Sequence, residues 1–219
     1  MPKVDPNYLK NAVLECRQKL KHKGRDEQGR CYVASLEKRI ILDVLKKSHT
    51  LAVETATNLD AFIEKKRLKK ITHKLTRITQ HSFKTQHSQL SRSERKKKAK
   101  SCSTELLKTY RRTCDYHIKL LDSQQRAIHE ILMKYNGSKR PITFSEKREI
   151  RHVQKTLCQL NSYTVPLSNR LVQEFILFSK TVKQNRRAMR NHEPLNLQGI
   201  SKFHEWIQMQ ARQISETPA

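Results

Sequence analysis

From Arg30 to Asn136 the chain runs for 107 residues without a glycine or a proline. These two residues are the strongest breakers of helices and initiators of turns. A stretch this long without them leaves little material for hairpins and predicts very long helices. Charge is distributed just as unevenly. Residues 61–101 hold 14 Lys or Arg against two Glu, a net of +12 out of the chain's +26. A helical rod with its charge concentrated in one segment suits a meeting with a polyanion better than it suits chemistry.

Hydrophobic residues make up 36% of the 219 and aromatics only 6%, below the usual globular share. The core is therefore expected to be thin, helix against helix along a seam. A surplus of 46 Lys and Arg over 20 acids repels itself in a compact state, and a partner that neutralises it resolves the cost. Nucleic acid and anionic membrane surfaces are the two large candidates. The five cysteines (Cys16, Cys31, Cys102, Cys114, Cys158) are odd in number and show no CxxC spacing. This suits free thiols in a reducing compartment, cytoplasm or nucleus. The N-terminal MPKVDPNYLKNAV lacks the apolar core of a signal peptide. No window holds 18 uninterrupted apolar residues, so no membrane span is expected.

The expected fold is all-α: a long antiparallel coiled-coil hairpin packed against shorter C-terminal helices. Residues 1–30 read as a capping helix and loop, with Asp5 as cap, Pro6 in the first turn and Gly24 as stop. The hairpin occupies 31–136. Its first arm starts near Cys31 and is expected to run for about 50 residues, roughly 75 Å, along Val33, Leu36, Ile40, Val44, Leu51, Thr55, Leu59, Phe62, Leu68, Ile71, Leu75 and Ile78. The polar stretch 79–103 is expected to fray, bend or end as a mobile tip. The second arm, about 104–136, carries the cleanest heptad: Leu107, Tyr110, Cys114, Leu121, Ile128, Leu132 and Tyr135, interrupted by His117 and Gln125. In residues 137–219, Thr143-Phe144-Ser145-Glu146 reads as a capping box. The stripe Ile150, Val153, Leu157, Leu160 follows it, and Pro166 is expected to end or kink that helix. Leu171, Val172, Phe175, Ile176, Leu177 and Phe178 predict the hub of the core. Ser201 reads as the cap of a last helix that turns Phe203, Trp206, Ile207 and Ile214 inward.

Three basic clusters carry the functional signal. On a helical wheel Lys66, Lys70, His73, Arg77, His81 and Lys84 fall opposite the apolar stripe, flanked by Lys65, Lys69 and Lys74. A solvated helix face mixes signs for i,i+4 pairing; here Glu64 is the only acid between Ala61 and Ser93. The second cluster, Arg92, Arg95, Lys96, Lys97, Lys98 and Lys100, suits phosphate binding, a nuclear address or a solubilising loop. The third, Lys183, Arg186, Arg187 and Arg190, repeats at 0, 3, 4 and 7 and so shares one face. Arginine's planar fork donates two parallel hydrogen bonds to phosphate. Phe83 is the only aromatic between Ile63 and Thr109, and this scarcity favours backbone contact over reading of unpaired bases.

Four glycines in the whole chain leave no phosphate-cradling loop. Glu149 and His152 form one Glu-x-x-His without a second copy, and Cys114 with His117 has ligand-like spacing without a completing pair. The sequence therefore predicts a non-catalytic protein without metal or cofactor that binds DNA or RNA through phosphates, in an architectural or ribonucleoprotein role. Two alternatives carry the same features. In length, helicity and charge the chain resembles a BAR-type module on anionic lipid, and a scaffold for an acidic protein partner would present the same basic face. The long apolar seams also make self-association an option.

Overall fold

The computed structural model describes residues 27–86, 89–138, 140 and 142–216. The expected capping helix between Asp5 and Gly24 lies outside them. The chain is an all-α helical bundle built from α1 (Glu27–Phe62), α2 (Lys65–Gln86), α3 (Arg92–Tyr135), α4 (Phe144–Gln159), a π turn (Leu160–Thr164), α5 (Val165–Asn191) and α6 (Gln198–Glu216). No strand occurs among the described residues.

The helices form two compact units, each with its own core. The first takes α1 up to Ala56 and the segment Lys119–Leu167; the second takes Thr57–Ile118 and everything from Ser168 onward. In the first unit, Val44, Leu45 and Ala52 of α1 pack with Leu121, Ile128 and Leu132 of α3 and with Val153, Leu157, Leu160 and Val165. The expected capping box is present. The Thr143 hydroxyl accepts from the Glu146 amide, and the Glu146 carboxylate accepts from the Thr143 amide at 2.7 Å. Lys38, almost fully buried, donates its ammonium to the carbonyls of Ser138 and Arg140. That anchors the loop after α3, where Gly137 adopts φ +90, a conformation an L side chain resists. Pro166 does not end the helical path. The π turn lies just before it, and the Val165 amide reaches back to the Leu160 carbonyl. One residue of slack absorbs the missing proline N–H.

The second unit has an aromatic centre. Tyr110 of α3 stacks on Phe175 of α5 at 4.4 Å, and Phe178 stacks on Phe203 of α6 at 4.2 Å. Leu59, Ile63, Leu68, Leu75, Ile78, Leu106, Leu107, Cys114, Leu171, Val172, Val182 and Ile207 surround them. Burial raises the Tyr110 phenol, with the Cys114 thiol beside it, and burial pushes Cys114 itself up to about 12. Asn185 ties α5 to the loop before α6 by a reciprocal pair: its amide donates to the Asn196 carbonyl and its oxygen accepts from the Asn196 amide. Gly199 lets α6 approach α5 closely, since a Cβ there would meet the Thr181 side chain at 3.0 Å.

Four expectations on the elements need correction. The first arm is not one helix: α1 stops at Phe62 and α2 starts at Lys65, with no glycine or proline between them. The phase of the apolar stripe explains the break. The core takes Leu59 and Ile63, then Leu68, Leu75 and Ile78. From Ile63 to Leu68 is a five-residue step, roughly 140° out of register at ~100° per residue. A continuous helix would bury lysines instead. Next, the second arm begins at Arg92, not near 104. The Ser91 amide donates to the Glu94 carboxylate and the Glu94 amide to the Ser91 hydroxyl, so the run Arg95–Lys100 is helical rather than a loose tip. Third, Ser201 lies inside α6; the Asn196 side chain accepts from the Gly199 amide and supplies the cap. Last, Ile176 and Leu177 leave the core and face solvent.

Candidate functional site

Lys66, Lys69, Lys70, His73, Lys74 and Arg77 of α2 occur at spacings of three, four and seven, which puts them on one helical face. The five-residue step at Ile63–Leu68 decides which face that is. Once Leu68, Leu75 and Ile78 turn inward, the lysines must turn out. Lys183, Arg186, Arg187 and Arg190 of α5 follow the same rule, because Phe178 and Val182 take that helix's inner face.

Within the second unit these two faces line one groove of about 680 Å³, walled by all ten side chains. No acidic residue lines it among the described residues. Lys74 and Arg186 are half-buried and the other eight are exposed. Among the described residues none of the ten takes part in an ion pair, unlike Arg140 with Glu146 or Lys147 with Glu37. The start of α2 adds to the same field. Its first turn holds no acid, and the carboxylate nearest its positive N-terminal end is that of Glu64, just before the helix.

Of the 17 cations expected to bind, nine meet in this groove: Lys66, Lys69, Lys70, Lys74, Arg77, Lys183, Arg186, Arg187 and Arg190. Lys65, Lys84, Arg92, Arg95, Lys96, Lys97, Lys98 and Lys100 do not line it. The cluster from Arg92 to Lys100 sits on the first turns of α3 around the buried Ala99, and Lys98 lies 5.7 Å from the Phe83 ring.

Beside the groove and sharing Lys66, Lys70, Lys74 and Lys183 with it lies a second recess of about 550 Å³, floored by Phe62, Ile71, Phe175 and Ile176. Sequence reasoning missed it, because its apolar parts come from the end of α1, from Ile71 of α2 and from the middle of α5. No local spacing links those segments.

The other constellations resolve into structure. The Glu149 carboxylate accepts from the Lys134 ammonium at 2.6 Å and from the Tyr135 hydroxyl at 2.7 Å. The Lys134 bond, then that of Tyr135, holds Glu149 below the usual carboxylate range. His117 is buried, and burial lowers it to about 4. No group of three His, Cys, Asp or Glu that could hold a metal ion occurs among the described residues. No helix there is long and apolar enough to cross a membrane. Comparison with family models, with curated proteins and with solved structures returns no match.

Proposed function

We propose that this protein binds the phosphate backbone of duplex or structured nucleic acid without catalysing a reaction on it. The observation that carries this reading is the convergence of two basic helix faces, distant in sequence, on one groove without an acid. Chance solvation does not require that convergence, and like charges facing one another across a groove repel. From Lys66 to Arg77 the α2 face extends about 16 Å at ~1.5 Å per residue. Over that distance a DNA duplex presents on the order of ten phosphate charges. Lysines along α2 supply point charges that tolerate any register, and arginines on α5 supply forks that fix one. The groove's own lining holds no aromatic residue, which suits backbone contact with little sequence preference.

A groove recesses its charge, which suits a narrow polyanion better than the plane of a bilayer. The test is a gel shift with duplex DNA and duplex RNA beside sedimentation with phosphatidylserine vesicles, each at two salt concentrations. The reading expects duplex binding that weakens steeply with salt, and loss of that binding in a Lys66→Glu, Lys70→Glu, Arg77→Glu variant of unchanged helicity. Vesicle binding without duplex binding would transfer the groove to lipid headgroups and overturn the proposal.

A further inference from the structure

The recess beside the groove differs from it in chemistry. Its floor is apolar, Phe62 with Ile71, Phe175 and Ile176, and Ile176 stays 37% exposed at its edge. A volume of about 550 Å³ falls within the range of small-ligand sites. Arg67 lines this recess but not the phosphate groove. Its guanidinium lies over the Phe62 ring at 4.5 Å, and its Nη1 donates to the Ala61 carbonyl at 3.1 Å. One ring and one carbonyl thus hold the plane of an otherwise exposed arginine. Phe62 in turn meets Phe175 edge-on at 6.3 Å, so the support continues into the aromatic core. Among the described residues Glu64 is the only acid lining the recess, and a carboxylate accepts hydrogen bonds from the amino and imino groups of a base edge.

We infer that this recess holds one unpaired nucleobase of the strand whose phosphates occupy the adjoining groove, stacked on the Arg67 guanidinium. Unpaired bases stack on arginine planes as they do on aromatic rings. The four lysines shared by the two concavities put phosphate contacts next to the base. Lysines set around an apolar floor repel a cationic ligand and favour a flat group tethered to anions. The ligand class is therefore a duplex with a single-stranded end, or a folded RNA with an extruded base. The inference rests on the phosphate-binding reading of the groove and adds a preference that the groove alone lacks.

The test titrates the full chain with a blunt RNA duplex and with the same duplex carrying a short 3′ overhang that contains 2-aminopurine, at one salt concentration. The overhang should tighten binding by roughly 5- to 150-fold per base held, and 2-aminopurine emission should be quenched. Arg67→Lys keeps the charge and removes the plane. It should leave blunt-duplex affinity and its salt dependence unchanged while abolishing the overhang gain and the quenching. If the parent binds the blunt duplex with steep salt dependence and gains nothing from the overhang, the base site is refuted and the groove stands. If Arg67→Lys retains gain and quenching, the stacking assignment is refuted. If neither RNA binds, the phosphate reading fails and the base site falls with it.

Discussion

The two walls of the groove can be separated by neutralising them in turn. Lys66, Lys69, Lys70, Lys74 and Arg77 come from α2, and Lys183, Arg186, Arg187 and Arg190 from α5. If all nine neutralise phosphates of one duplex, log affinity falls against log salt with a slope of about −8. That corresponds to a loss on the order of 10⁵ between ~50 and ~200 mM. Changing Lys66, Lys70 and Arg77 together to Gln removes three contacts and should make the slope shallower by about 2.7. The matching α5 variant, Lys183, Arg187 and Arg190 to Gln, should do the same. The six-residue combination should lose about 5.4. Glutamine is a good helix former, so helicity should hold. The α5 variant also removes the like-charge i,i+4 pairs 183/187 and 186/190, worth about 0.2–0.5 kcal/mol each, so thermal stability should rise slightly. Fluorescence anisotropy of a labelled duplex across a salt series measures each slope. A slope that drops only in the α2 variant would show that α5 does not touch the same polyanion, and the single-groove reading would fail. Two unchanged slopes would make both faces solvated surface.

His117 titrates at about 4 in the fold against 6.5 unfolded; the unfolded chain takes up the proton first, so stability should fall by about 2 kcal/mol between pH ~7 and ~5, and His117→Gln should flatten that dependence in urea titrations. Phe175→Ala, at the meeting point of Phe62, Tyr110, Phe178 and Phe203, should cost about 3–5 kcal/mol by chemical denaturation; Leu177→Ala two residues on, 57% exposed, should stay within about 0.5 kcal/mol. Thr143→Ala removes one half of the α4 capping box and should cost about 0.5–2 kcal/mol in the same assay.

The helices were legible where periodicity and punctuation agreed. The heptad of α3 buries as expected at Leu107, Tyr110, Cys114, Leu121, Ile128, Leu132 and Tyr135. Thr143–Glu146 caps α4, and the α5 stripe does form a core hub. Misjudged boundaries followed from reading composition in place of capping. Serine and lysine between 79 and 103 suggested a helix that frays, bends or ends as a mobile tip; α2 does end there, at Gln86, but Ser91 with Glu94 starts α3 well before 104. Lysine and arginine are good helix formers, and polarity alone does not stop a helix that has a buried face such as Ala99, Leu106 and Leu107. Ile176 and Leu177 looked like core because the apolar run is unbroken, but a helix buries only part of its circumference. Phe175 and Phe178 claim that part.

The groove was half legible, and what was missing is tertiary. Each basic face can be drawn on a wheel from local spacing; that the two faces share a concavity depends on how α2 and α5 settle on their common core. One part of it was nevertheless written in the chain. The stripe slips by five residues from Ile63 to Leu68, and this slip has two consequences at once. It forces a break where no glycine or proline marks one. It also turns Lys66, Lys70, Lys74 and Arg77 away from the position that Leu59 and Ile63 would have given them in an unbroken helix, which is inward. An inward lysine without a partner would cost several kcal/mol or lose its proton. The break therefore keeps the cations charged and places them outside the core, opposite the arginines of α5, where their mutual repulsion makes an anion the favourable occupant.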